Sequence, residues 1–382
     1  MTATVDRADA PPAPRRFRPA WRTPDPRRLR GVDVARGLAV LGMFGAHLLT
    51  TDELVWTDPS TWSGLVDGRS SILFATLAGV SVGLLTGRTT PPEGEALVRA
   101  RLVLLTRAAL LLALGGLVQL LVVPVAVILE FYAVLVVLCI PLLRWRVRSL
   151  LALAAGLVLV VNPLYHQVLL PWVYADTGGG GVLGQLGFTG VYPVATWAAF
   201  VVTGLAVGRS DLTAVRVRAT LVLVGSALAV LGYGAAGVAQ VTPGDADEQA
   251  AFAEDPSWRD LVPPADQLLL ALPHSNTPAE TIGSGGFALL VLGVCLLVAD
   301  RLRWVLLPLA CVGSMPLSAY CAHLVGIAWL GETLFDSTDD GVGLWLRFVV
   351  TTLVVCTLWA LVLGRGPLER LVAAVTRRAV RA

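Results

Sequence analysis

Apolar runs of about 17–22 residues recur along nearly the whole chain, the length an α-helix needs to cross a lipid bilayer. Charged residues make up 15% of the 382 and hydrophobic residues 55%, with a mean hydropathy of +0.73. A soluble domain carries about a quarter charged residues. This pattern excludes a soluble enzyme, a disulfide-stapled secreted domain and a disordered scaffold. It predicts an all-α, polytopic membrane protein. Ten spans are expected, at about 32–50, 71–87, 102–121, 123–143, 149–166, 190–208, 219–239, 283–299, 305–330 and 344–363. Residues 1–29, with six Pro and seven Arg, read as a disordered basic tail. Residues 30–371 read as a single transmembrane domain and 372–382 as a second basic tail. The first apolar stretch has no small-residue cleavage site, so it reads as a retained helix.

The arginines orient these spans. Connections after even-numbered helices carry Arg88, Arg99, Arg101, Arg144, Arg146, Arg148, Arg209, Arg216, Arg218, Arg301 and Arg303, and both tails are Arg-rich. The opposite loops hold Arg69 and Arg259 but most of the acids: Asp52, Glu53, Asp58, Asp67, Asp176, Asp245, Asp247, Glu248, Glu254, Asp255, Asp260, Asp266, Glu280, Glu332, Asp336, Asp339 and Asp340. Positive residues stay on the cytoplasmic side, which predicts a multi-pass protein of the cytoplasmic (inner) membrane with both termini cytoplasmic. Two long outer loops, roughly 167–189 and 240–282, are expected; the first contains the run Gly178 to Gly181. Trp56, Trp62, Trp172, Trp304 and Trp345 sit near span ends, as interfacial anchors do. Cys139, Cys295, Cys311, Cys321 and Cys356 all fall in apolar runs and read as buried structural thiols. No pair of His or acids has ligand spacing on one helix, so no metal is expected. The Arg clusters follow topology and lack an aromatic-basic platform, which argues against nucleic acid.

A charge at bilayer depth is expensive and asks for a partner or a task. Arg36, His47, Arg107, Glu130, His323 and Arg347 are in that position. Arg107 and Arg347 lie close enough to span ends to snorkel; Glu130 needs an internal partner. All four histidines, His47, His166, His274 and His323, map to the outer half.

The first span is the most informative. Arg36 and His47 are eleven residues apart, which at about 100° per residue returns to within roughly 20° of one face. Their backbones are then about 16 Å apart along the axis. Gly42 and Gly45 thin the helix beside this stripe. A cation near the cytoplasmic end and an imidazole near the outer end suit group transfer from an anionic cytoplasmic donor to an outer acceptor. Arg36 would steady a phosphate or pantetheine carbonyl, and His47 would take the proton of an attacking hydroxyl or amine. Equally, Arg30, Asp33 and Arg36 read as a capped, ion-paired helix start.

Asp33 followed by Arg36-x10-His47 resembles the Arg-x10-His signature of the transmembrane acyltransferases, including the bacterial O-acyltransferases (acyltransferase family three). The segment Arg30 to His47 is closer to the heparan-α-glucosaminide N-acetyltransferase catalytic-domain family and its YeiB-like bacterial relatives. These share an Asp-x-x-Arg-Gly opening, here Asp33 to Gly37, and a second element, here Asp67-Gly-Arg69 through Phe74 to Gly79. Gly366-Pro367-Leu368-Glu369-Arg370 is similar to the close of the YeiB-like proteins. The resemblance implies an enzyme that moves an acyl group, most simply acetyl, from cytoplasmic acyl-CoA to an extracytoplasmic glycan or glycolipid acceptor. It carries over to Asp33, Arg36, His47 and Asp67. His47, Asp67 and Arg36 are then the catalytic candidates, with Asp67 orienting His47. Arg36, Arg99, Arg101 and Arg107 are candidates for acyl-CoA, and Asp33, Arg69, Glu130, His274, Tyr320 and His323 for the acceptor. Asp67 could instead pair with Arg69 or cap the second helix. Two other readings remain: a transporter or exporter of small anionic or glycan-linked solutes, and a membrane scaffold whose buried charges only fix helix packing.

Overall fold

A computed structural model describes residues 28–52, 54–55, 57–177, 181–241, 259, 261–331 and 341–381. The tail before Arg28, Glu53, Trp56, Gly178 to Gly180, and the loop acids Asp245, Asp247, Glu248, Glu254, Asp255, Asp260, Glu332, Asp336, Asp339 and Asp340 lie outside the described residues. Within them the regular structure is entirely helical. The helices are α1 (Arg30–Leu48), α2 (Arg69–Leu85), α3 (Gly94–Gln119), α4 (Leu129–Leu138), α5 (Val147–Asp176), α6 (Val194–Gly208), α7 (Val215–Ala239), α8 (Pro278–Val298), α9 (Leu307–Ser314), α10 (Pro316–Leu330), α11 (Val342–Val362) and α12 (Pro367–Arg381).

Each expected span contains a helix, but the count of ten needs correction. Among the described residues six helices are long and apolar enough to cross a membrane, and up to eight if each of two bent pairs is one span. The pairs are Gly181–Thr189 with α6, bent by 53°, and α9 with α10, bent by 85° at Met315. α4 falls short because it has only 10 residues. α1 has 19 residues but includes Arg30, Asp33, Arg36 and His47, which lower its hydropathy. The expected outer loop 167–189 is also corrected: α5 runs on to Asp176 through wide π-type turns at Leu157–Val161 and Tyr165–Leu169, which accommodate Pro163 and Pro171. α8 starts at Pro278 rather than near 283, and α12 forms a helix where a basic tail was expected.

Apolar burial cannot by itself drive helices together in lipid, so close backbone approach at small residues does that work. Gly79 of α2 lies against the Val201 backbone of α6, and Gly204 against Thr76 in return. Gly313 of α9 lies on the carbonyl of Asp33, and Gly42 of α1 leaves room only for Ser70. α1 is therefore enclosed by α2, α8, α9, α10 and α11. Its buried face includes Val40, Met43 and Phe44. α2 runs antiparallel to it, so the start of α2 sits beside His47 and its end beside Arg36.

Arg209, one of the loop arginines that signal topology, is a buried staple at the Arg36 end. Its guanidinium donates to the carbonyls of Thr86, Arg88 and Leu143 and to Thr86 Oγ1. The five cysteines are buried and free.

Candidate functional site

The His47 end of α1 opens into a chamber of about 210 Å³ lined by Met43, Ala46, His47, Val66, Asp67, Gly68, Ser71, Val125, Ala126, Val191, Tyr192 and His274. Met43 and His47, four residues apart, share the face of α1 that meets it. Asp67 and Ser71 come from the same spacing at the start of α2. Tyr192 comes from the break before α6, and His274 from the loop before α8.

That loop is built by its own short-range chemistry. Thr277 caps α8 by accepting from Glu280 N at 3.1 Å. The Glu280 carboxylate reaches back to accept from Asn276 N at 2.5 Å, His274 N at 2.8 Å and Ser275 Oγ at 3.2 Å. This is a capping box extended by one more turn of backbone. It supports two left-handed residues, His274 at φ 63° and Asn276 at φ 57°, a conformation that costs a non-glycine residue free energy. The Asn276 side chain ties the loop to α6, accepting from Trp197 Nε1 at 2.8 Å. The Asn276 backbone carbonyl accepts from Asn162 Nδ2 at 2.9 Å and pairs with His166 Nε2 at 3.0 Å. Pro273 then lies on Gly68, whose φ of 64° and missing Cβ permit that contact. The result brings His274 Nε2 to 3.5 Å from Asp67 Oδ1. This is longer than the usual 2.7–3.2 Å hydrogen bond, so the contact is chiefly electrostatic. His274 Nδ1 is buried and has no hydrogen-bond partner among the described residues.

His47 is held from the other side. Its Nδ1 lies 3.2 Å from His323 Nε2. His323 stacks on Phe44, with ring centroids 3.9 Å apart, and meets the edge of Phe348 at 5.3 Å. Phe44 and His47 are three residues apart on one helix face, so the same stretch of α1 seats His323 and bonds it. With Nδ1 committed to His323, Nε2 is the His47 nitrogen left for a substrate. For it to accept a proton, Nδ1 must carry the hydrogen and donate to His323.

The expectation that Asp67 orients His47 is corrected in detail. The two share the chamber, but Asp67 pairs with His274, and His47 is oriented by His323. Neither does Asp67 pair with Arg69. Arg69 is buried and donates to Tyr233 Oη at 2.9 Å and the Gly64 carbonyl at 3.0 Å, stapling α2 to α7. Tyr233 passes the link to Ser284 of α8 at 2.8 Å. Glu130 lies outside the chamber and accepts from Gln119 Nε2 at 2.8 Å. Tyr320 is buried behind the chamber, its hydroxyl accepting from Ile128 N at 3.4 Å.

At the opposite end Asp33 bridges Arg28 at 2.5 Å and Arg36 at 3.2 Å. The second branch of Arg36 donates to Ser81 Oγ at 2.7 Å. Arg107 lies within electrostatic range of Arg36 and of Arg365, and its Nε is buried with no hydrogen-bond partner among the described residues. Arg99 and Arg101 are exposed on the first turns of α3. This end therefore concentrates cations around one acid, an arrangement suited to an anion. Among the described residues, no group of three or more His, Cys, Asp or Glu is placed to hold a metal ion.

Of the residues named from the sequence, His47, Asp67 and His274 line the chamber and His323 bonds His47, whereas Tyr192 and Glu280 were not among the site candidates. Thr277-x-x-Glu280 ahead of an apolar run was a legible helix-start signal; Tyr192 had none, because only folding brings it to the chamber.

Two family models match the chain. Residues 28–233 match heparan-alpha-glucosaminide N-acetyltransferase, catalytic, and residues 271–379 match a protein family of unknown function (DUF418). No curated protein matches the chain. The chamber draws His47, Asp67, Ser71 and Tyr192 from the first matched region and His274 from the second.

Proposed function

This chain belongs to the heparan-alpha-glucosaminide N-acetyltransferase catalytic family, and from that premise we propose that it transfers an acyl group from acyl-CoA to a hydroxyl or amine acceptor in the His47 chamber. The observation that carries the reading is one cavity holding an oriented imidazole, His47, opposite a second imidazole beside a carboxylate, His274 with Asp67.

The donor enters at the Arg36 end, where Arg36 and Arg107 pair with its phosphates and Arg99 and Arg101 lie at the mouth. Its thioester reaches along α1 toward the chamber, a path of about 16 Å between the two backbones. The acceptor hydroxyl or amine sits between His47 Nε2 and His274. As it attacks the thioester carbonyl, its proton passes to His47; a C–O or C–N bond forms, the C–S bond breaks, and the proton returns to the departing sulfur to give CoA thiol. His323 positions His47, and Asp67 steadies positive charge at His274. The arginine distribution supports a cytoplasmic Arg36 end and cytoplasmic termini, hence an extracytoplasmic acceptor, and the family resemblance supports a glycan-like one.

The two bent helix pairs favour a second reading, a transporter of small anionic or glycan-linked solutes, since broken helices build such sites. One experiment separates them: binding of labelled acetyl-CoA to the detergent-solubilised protein, with CoA thiol release upon adding candidate acceptors. Saturable binding lost in Arg36→Ala and kept in His47→Ala supports transfer. Folded protein that binds no acyl-CoA overturns it.

A further inference from the structure

A second and larger cavity, about 430 Å³, lies between α10 and α11. On α11 its lining recurs at Arg347, Phe348, Thr351, Val355 and Trp359, one helical face about 18 Å long. That is more than half of a hydrocarbon core about 30 Å thick. α11 covers this groove with little support of its own, since Cys356 is its one buried residue. The groove is mostly apolar, with Arg347 and His323 toward one end and the Ser318 hydroxyl, bonded to Glu369 of α12, toward the other.

Two groups make the Arg347 end. Arg347 is exposed on the sixth residue of an otherwise uncharged helix and has no ion-pair or hydrogen-bond partner among the described residues. His323 is 2% exposed, lines the same groove, and its Nδ1 has no hydrogen-bond partner among the described residues. An exposed cation and a buried imidazole with an unpartnered nitrogen, lining one groove, suit an anion. A second copy docked by this face does not supply one. α9, α10 and α11 contain no Asp or Glu, and the one acid of α12, Glu369, already accepts from Leu317 N, Ser318 N and Ser318 Oγ.

We propose that this groove seats an anionic lipid, its alkyl chain along Phe348, Thr351 and Val355 and its phosphate on Arg347. His323 also bonds His47, so the Arg347 end of the groove is separated from the chamber by one pair of imidazoles. As a binding site this stands on the groove alone and does not depend on the acyl-transfer reading.

Native mass spectrometry of the full-length protein, titrated with phosphatidylglycerol and with phosphatidylcholine of the same chains, tests it. The wild type is expected to prefer phosphatidylglycerol, and Arg347→Gln to lower that preference about fivefold, the scale of one cation near anionic lipid. Val355→Trp, which fills the groove, is expected to weaken both lipids while its thermal unfolding stays cooperative. A preference unchanged in Arg347→Gln, or a dimer mass that Val355→Trp abolishes while lipid binding persists, overturns the proposal. Acetyl-CoA binding is read separately, so loss of the transfer reading and loss of the lipid site are distinguishable.

Discussion

At the Arg36 end of α1 the ionisable side chains are largely tied down: Asp33 holds two arginines, Ser81 takes the other branch of Arg36, and Arg209 spends four hydrogen bonds on carbonyls and a hydroxyl. At the His47 end, two imidazole nitrogens are buried with no partner among the described residues, and the Asp67–His274 contact is 3.5 Å. Both ends lie on one helix in one low-dielectric setting, where an unmet polar group costs about 1–3 kcal/mol. The first end is a network of ion pairs and carbonyl bonds that leaves over only single guanidinium nitrogens, Arg107 Nε and Arg209 Nε, whereas the second leaves ring nitrogens of two histidines, His274 and His323, without a partner among the described residues. On the acyl-transfer proposal, Arg107 is the cation near Arg36 that the donor's phosphates would meet.

Substitutions can break this contrast. His47→Ala is expected to lower CoA release in the presence of acceptor by about 10²- to 10⁴-fold, the range for removing a general base, with the thermal midpoint in detergent lowered only as far as the cost of leaving His323 Nε2 unpartnered, about 1–3 kcal/mol, requires. A large fall in that midpoint would make His47 a packing residue. Asp33→Ala should act in the opposite way. Breaking a buried ion pair costs about 3–5 kcal/mol, so the midpoint should drop sharply and every activity with it.

Smaller effects sharpen the comparison. Glu280→Ala strands the amides of His274 and Asn276 and should cost about 1–3 kcal/mol of stability, read in the same thermal assay. Transfer should fall further than stability explains, because His274 loses its placement. Asp67→Asn should slow transfer about tenfold, near 1.4 kcal/mol, and leave acetyl-CoA binding unchanged. Glu130→Gln, outside the chamber, should move stability by less than about 0.5 kcal/mol and transfer not at all; a loss of transfer would extend the site toward α3 and α4.

Hydropathy alone was enough to place a helix in each expected span, because the bilayer's demand for internally bonded backbone leaves helices as the solution for an apolar run. It was not enough to count the crossings. The π-type turns that carry α5 past Pro163 and Pro171, and the 85° break at Met315 just before Pro316, fall at prolines, but a proline alone does not say whether a span runs on or breaks there. Nor does any spacing along the chain reveal that Asp67 meets His274 rather than His47.

The Arg36–His47 stripe is a property of the sequence, since eleven residues of helix bring two side chains to one face whatever surrounds them. The Asp-x-x-Arg-Gly opening and the depth of the histidines were equally local. The partners belong to the tertiary structure: His323 arrives across 276 residues of chain, and His274 through a loop folded around Glu280 and seated on Gly68. A helix sets the direction in which a side chain points by its own hydrogen bonds. What that side chain meets is decided by the packing of segments remote in the chain, at contacts such as Pro273 on Gly68 and Gly313 on the Asp33 carbonyl, which require the whole bundle to close.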